Sequence, residues 1–391
     1  MKIDITGGDL KIREFYQIVY ENAEVSLNKS ALSEIDKCFK FLKEYSAKKL
    51  IYGINTGFGP MAQYRIKNED RHSLQFNLIR SHASGCGEIL RPDFLKATLI
   101  ARLSSLMKAR SGIHRNTVEL LRDFINNEIL PIIFTHGGVG ASGDLVQLAH
   151  IALCLIGEGE VIYQSKLQPT KQVLNKLKIK PLEIHIREGL SLINGTSCMT
   201  GIGMINTIMA YRLAKWEMLM SAMVNEISEA YDDHISKELN QVKPHAGQQQ
   251  VATAMRKILK GSKLLKNRHE HLYDKEVLAD VLDEKVQEYY SSRCIPQIIG
   301  PIWETITNTE KVLTAEINSV NDNPIIDYQN GNIYHGGNFH GDYVSLEMDK
   351  LKIAVTKLSM LAERQLNYLL NHNLNQKLSP FINLGRLGLN F

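Results

Sequence analysis

Gly137-Gly-Val-Gly-Ala141-Ser142-Gly143-Asp144-Leu145-Val146 is the stretch on which the reading of this chain turns. Ala141-Ser142-Gly143 joins three small residues, which a tight loop can fold so that the backbone nitrogen of Gly143 attacks the carbonyl carbon of Ala141. Loss of water there, and of a second water from the Ser142 side chain, leaves a five-membered ring bearing an exposed methylidene. That product is an electrophile, which none of the twenty side chains supplies. The surrounding glycines suit such a loop because they permit positive φ and close backbone approach at low steric cost.

Two plainer readings compete for the same residues. Gly138-Val-Gly140-Ala-Ser-Gly143 matches the dinucleotide pattern G-x-G-x-x-G, with an apolar run before it (Leu130 to Phe134) and a helix-like one after it (Leu145 to Ile156). That pattern needs a strand–loop–helix–strand unit with an acid at the end of the second strand. Here Glu158 and Glu160 precede the next strand-like piece, Val161 to Tyr163, and the chain upstream reads as helices. The second plain reading is a Gly-rich turn that caps a helix at Asp144.

Outward from the loop, composition bounds the answer. With 391 residues, 44% of them hydrophobic, the chain can bury a substantial core in one large domain or two. A net charge of +4, with the basic residues scattered among 42 acids, does not suggest nucleic-acid or membrane-surface partners. Cys38, Cys86, Cys154, Cys198 and Cys294 are odd in number, widely spaced and without a C-x-x-C pair. They read as free thiols in a reducing compartment rather than disulfides or a zinc site. The N-terminus lacks a signal-peptide core, and Met204 to Val224, though apolar, is interrupted by Arg212, Lys215 and Glu217. The expectation is a soluble cytoplasmic protein.

The periodicity is mainly helical. Phe94 to Lys108 and Arg115 to Asn126 have helical spacing, while the best strand signals, Val161 to Tyr163 and Ile184 to Ile186, are short. Val344, Met348, Leu351, Val355, Leu358 and Ala362 form a heptad seam within a Gly- and Pro-free run from Val344 to Leu378. Such a helix must lie against other long helices. Because Met204 to Val224 is apolar nearly all round, the bundle is expected to be completed by other subunits.

Further motifs recur along the chain: Tyr52-Gly-Ile-Asn55-Thr-Gly-Phe-Gly59, Ser81-His82-Ala-Ser-Gly85, Leu192-Ile-Asn194-Gly-Thr196, Gln287-Glu-Tyr-Tyr290-Ser-Ser-Arg293, Asn321-Asp-Asn-Pro324 and Gly336-Gly-Asn338-Phe339-His340. In this order and at these separations they closely resemble the aromatic amino acid ammonia-lyases, in overall wording most of all the bacterial tyrosine and histidine enzymes. The resemblance runs from about Tyr52 to the last residue. It implies a mainly α fold, an MIO-bearing domain (1–194) followed by a long-helix bundle (195–391), and a homotetramer with active sites shared between subunits. It further implies the methylidene-imidazolone (MIO) electrophile, formed autocatalytically from Ala141, Ser142 and Gly143, with neither NAD nor metal.

The resemblance also distributes roles. Removing ammonia from an aromatic amino acid requires a better leaving group, which covalent capture of the amine provides, and a base for the β-proton. Tyr52 matches the base; a phenol, with an ordinary pKa of about 10, serves only where charge or hydrogen bonds stabilise the phenolate. Arg293 is the expected carboxylate clamp, since a planar guanidinium holds both oxygens. Gln287, Tyr290 and Arg293 are spaced so that one helical segment could present them together. Asn194 is expected near the ring or the substrate amine, and Phe339 against the electrophile or the substrate. Ser81-His82 occupies the positions that set ring selectivity, where histidine can hydrogen-bond either a phenol or an imidazole.

The favoured activity is conversion of L-tyrosine to p-coumarate, with L-histidine to urocanate next. After these come a 2,3-aminomutase, which returns the amine to Cβ, and a truncated non-catalytic homologue. In the resembled enzymes the loop corresponding to Pro380–Phe391 leads into a further bundle helix, and this sequence is expected to lack it.

Overall fold

Helices carry most of the chain in the computed structural model, which describes residues 1–274, 276, 280–282 and 285–385. Residues 386–391 of the apolar ending lie outside the described residues. The two helices expected early in the chain appear as Pro92–Leu106 and Arg115–Asn126. Pro92 and Asp93 open the first of these, a proline where no intrahelical donor is needed and an acid at the positive end of the helix dipole. Arg115–Asn126 buries Val118, Leu121, Phe124 and Ile125, one stripe at helical spacing. No described helix is long and apolar enough to cross a membrane.

The strand Glu160–Tyr163 contains the expected Val161 to Tyr163 and pairs antiparallel with both Leu130–Pro131 and Lys166–Pro169. Phe134–His136, which leads into the glycine loop, pairs antiparallel with Cys86–Ile89. A dinucleotide fold needs parallel strands joined by the crossover helix. The G-x-G-x-x-G reading therefore fails on topology. The strand expected at Ile184 to Ile186 is a loop instead. Ile184 is buried there, but the His185 amide donates to the Glu188 carboxylate at 2.6 Å rather than to a neighbouring strand.

The chain divides into two units, Met1–Asn206 with Glu310–Leu346, and Thr207–Thr309 with Glu347–Phe391. The boundary expected after Asn194 thus falls within the first unit, which also takes back a later segment. In the first unit the helices Arg71–His82, Leu145–Leu155 and Glu188–Ile193 pack on one another. Ser81-His82 end the first of these, the second follows the glycine loop, and Asn194 follows the third.

In the second unit one hydrophobic cluster draws Ala214 and Met218 from Ser197–Ile227, Val251 and Met255 from Ala246–Ile258, Ile299 and Ile306 from Ile295–Ile317, and Leu351 and Leu358 from Asp342–Leu370. Met348 and Val355 pack against it, as the heptad seam requires. At the end of the seam Ala362 is exposed and Leu361, Gln365 and Tyr368 turn inward. A straight α-helix drifts about 20° per heptad against a 3.5-residue repeat, so the buried stripe slips by one position.

Candidate active site

Ser142 and Gly143 adopt successive left-handed conformations, φ 56° and φ 79°. For serine this is a sparsely populated region, held only where its surroundings impose it. The constraints are on both sides of the turn. The Asn194 side-chain amide donates to the Ser142 carbonyl at 3.2 Å, and the Asp144 amide donates to the Gly195 carbonyl at 2.7 Å. A Cβ on Gly143 would lie 2.1 Å from the Gly195 oxygen and 2.9 Å from that of Phe339, so only glycine fits. Gly143 is buried, Ala141 is exposed, and Val139 stands 88% exposed at the tip of the loop.

Asp144 stands at the N-cap of Leu145–Leu155 but makes no side-chain cap there. Its carboxylate instead accepts the amides of Cys198 and Met199 at 2.8 and 3.0 Å, at the start of Ser197–Ile227. Burial pushes Asp144 up to about 7, against the pull of those two amides and of Arg102. The helix-capping expectation is thus corrected: the acid caps a helix that begins some fifty residues later. Beneath it Arg102, fully buried, donates to Asn321 Oδ1 at 3.1 Å and to the Ser191 carbonyl. Asn194 is itself held, its Oδ1 accepting the Asn323 amide at 2.8 Å.

Tyr52 lies in a turn built by its neighbours. Asn55 accepts the Ile51 amide at 2.7 Å and donates to the Ser46 and Lys49 carbonyls, while Thr56 Oγ1 accepts the Gly53 amide. The Tyr52 hydroxyl accepts the Gly59 amide at 3.2 Å. Buried Gln75 donates to the Gly53 carbonyl and accepts the Leu190 amide, tying the Tyr52 turn to the helix that ends before Asn194.

Ser81 and His82 end the helix Arg71–His82. His82 Nδ1 lies 2.9 Å from the Leu78 carbonyl, an oxygen that can only accept. Nδ1 therefore donates to that oxygen, which leaves Nε2 as the ring's other polar atom. Ser81 Oγ donates to the same carbonyl at 3.2 Å and sits 3.1 Å from His82 Nδ1, bracing the ring.

Phe339 is half-buried and meets Gly143 through its backbone oxygen. Gln287, Tyr290 and Arg293 belong to the second unit. Gln287 precedes the short helix Tyr290–Arg293, so the three do not share one helical segment. The Arg293 guanidinium stacks over the Tyr290 ring, 4.3 Å from its centroid, and donates to the Glu288 carbonyl.

The family model for aromatic amino acid lyases matches residues 10–391. The chain belongs to the MIO-dependent aromatic amino acid lyase and aminomutase family. A tyrosine 2,3-aminomutase from Chondromyces crocatus is 41% identical over 98% of this chain and 74% of its own length. A histidine ammonia-lyase from Geobacillus thermodenitrificans is 37% identical over 97% of this chain and 73% of its own. Among solved structures, a tyrosine aminomutase from Streptomyces globisporus superposes with a TM-score of 0.94 at 34% identity, covering 100% of this chain and 75% of that one.

Several residues that hold this lyase-family site escaped the sequence reading. Gln75, Arg102 and His150 are all buried, and each bonds the backbone of a segment beside a candidate site residue, at Gly53, Ser191 and Gly85. Arg102 had a visible signal, a lone cation among Leu99, Ile100, Ala101 and Leu103 that must be paired when buried. Gln75 and His150 had none, since a single amide or imidazole on a helix looks like a surface residue until its partner is known.

Proposed function

We propose that this chain eliminates ammonia from an aromatic L-amino acid, L-tyrosine foremost, through an MIO ring made from Ala141, Ser142 and Gly143. The observation that carries the reading is the consecutive left-handed turn at Ser142 and Gly143 beneath the Asn194 amide. In that turn the Gly143 amide reaches back across Ala141 to the Gly140 carbonyl at 3.4 Å, and the absence of room for a side chain at 143 suits a ring closed through that nitrogen. When formed, the ring supplies an electrophilic methylidene that takes the substrate amine.

The remaining work falls to side chains. Tyr52 takes the β-proton, with the Gly59 amide fixing its oxygen. His82 Nε2 accepts a hydrogen bond from the substrate ring, which a phenol O–H or an imidazole N–H can give and a phenyl ring cannot. Ser81 braces that imidazole. Arg293, with Gln287 and Tyr290 from the same motif, binds the substrate carboxylate, and Phe339 packs beside the electrophile.

A second reading, a 2,3-aminomutase, is favoured by the 41% identity to a protein named for that reaction on tyrosine. It shares the elimination step and then returns the amine to Cβ. Histidine ammonia-lyase activity follows, on the 37% identity to a protein of that name. The working unit is a homotetramer in the cytoplasm. Its support is the ridge of Leu213, Trp216, Met220, Met223 and Ile227, exposed along Ser197–Ile227 at heptad spacing. Incubating the purified chain separately with L-tyrosine, L-histidine and L-phenylalanine tests the reading. p-Coumarate as the main product supports it, β-tyrosine as the main product moves it to the aminomutase, and no product from any of the three defeats it.

A further inference from the structure

The selectivity turn and the glycine loop meet at Gly85. The Gly85 amide donates to His150 Nε2 at 3.0 Å. His150 is buried on Leu145–Leu155, the helix that follows the Ala141-Ser142-Gly143 turn, with its ring edge-on to Phe134 at 5.2 Å. The fit is tight from both directions. A Cβ on Gly85 would lie 2.8 Å from His150 Nε2, and a Cβ on Gly137 would lie 3.0 Å from the Gly85 Cα. Upstream, Arg80 makes a two-point ion pair with Glu158, at 2.6 and 3.1 Å. Ser81 to Ser84 are therefore held at both ends by the stretch from 145 to 158, and His82 lies between the two fixed points.

The two anchors are unequal. Arg80 and Glu158 are both well exposed, and surface ion pairs contribute little. His150 is buried, and losing its acceptor would leave the part-buried Gly85 amide without this partner, the costly half of a broken hydrogen bond. Burial also holds the imidazole below its usual range, in the neutral form an acceptor requires.

We propose that His150 is a positioning residue for ring selectivity. By accepting the Gly85 amide it fixes the Ser81-His82 turn, so that His82 Nε2 stands where the substrate's ring donor arrives. The proposal rests on the functional reading above, in which His82 faces the substrate ring.

The test compares His150→Phe, which keeps the ring and its packing but loses the acceptor, with His150→Gln, whose amide oxygen can replace Nε2. Two quantities are measured on each: kcat and KM for L-tyrosine and L-phenylalanine, and hydrogen exchange in the peptide spanning residues 81–86. His150→Phe should lower the tyrosine-to-phenylalanine ratio of kcat/KM about tenfold, through the KM for tyrosine, and speed exchange in that peptide. His150→Gln should restore both. His150→Asn, too short to reach Gly85, must behave as the phenylalanine variant does and replaces it if that variant does not fold. Unchanged exchange, an unchanged ratio, or equal losses on both substrates overturns the proposal. A wild-type chain that turns over neither amino acid defeats the functional reading, and the exchange data alone then decide whether His150 pins the turn.

Discussion

Asn194 donates its side-chain amide to the carbonyl of Ser142 at 3.2 Å while its own oxygen accepts the Asn323 amide at 2.8 Å. One side chain thus joins the strained turn to the Asn321–Pro324 segment. Asn194→Asp keeps the acceptor toward Asn323 and loses the donor toward Ser142. The variant should fold, yet lose on the order of 10² in kcat, the usual effect of removing one preorganised donor. Steady-state kinetics beside an unfolding curve checks this; full activity would make Asn194 merely structural.

Asp144 should leave a pH signature on stability. Burial pushes its carboxyl up to about 7 from an ordinary 3.8. Between those values the folded chain binds more protons at this site than the unfolded chain does, so the stability it contributes is present at low pH and lost as pH rises through 7. Asp144→Asn, which cannot ionise, lacks this dependence. Urea unfolding at pH 5 and pH 8 should show wild type losing ground to the variant at the higher pH. A constant gap would mean that Asp144 does not titrate in this range.

Ring preference should follow the His82 acceptor. With Nδ1 committed to Leu78, Nε2 is the atom left for the substrate. His82→Leu should shift kcat/KM toward L-phenylalanine and away from both L-tyrosine and L-histidine. Loss of a site's hydrogen-bond partner can change discrimination by on the order of 10⁴, far beyond what an apolar pocket gains. Competition assays with the three amino acids measure it, and unchanged ratios would make His82 structural.

Assembly should depend on the exposed ridge of Ser197–Ile227. Trp216 and Met223 stand 59% and 46% exposed on one helix face. A double change to glutamate, Trp216→Glu with Met223→Glu, should convert a tetramer to smaller species in light scattering at micromolar concentration. A wild-type chain that runs as a monodisperse monomer would contradict the assembly itself.

How far the sequence carried depends on whether a residue's meaning is local. The helices Pro92–Leu106 and Arg115–Asn126 were legible because apolar spacing is written within the segment itself. So was the Ser142-Gly143 turn, whose small residues announce an unusual backbone. Ile184 to Ile186 misled because Ile184 is buried, and Ile186 partly so, by a loop whose amide bonds a carboxylate three residues on. Asp144 was misread for a related reason: an acid before a helix is a capping signal, but its partners at Cys198 and Met199 are distant in sequence. Ala362 shows the limit of periodicity, since the seam that predicts it inward is a coiled-coil repeat and the helix keeps its own pitch.

The central claim is that the Ala141-Ser142-Gly143 turn closes into a ring, and intact mass spectrometry of the folded chain tests it most directly. Cyclisation and dehydration remove two waters, so the measured mass should be about 36 Da below the sequence mass. Ser142→Ala should show neither that deficit nor turnover. Gly143→Ala should lack it as well, because the added Cβ would meet the Gly195 oxygen at 2.1 Å. A folded wild-type chain at its full sequence mass would contradict the account.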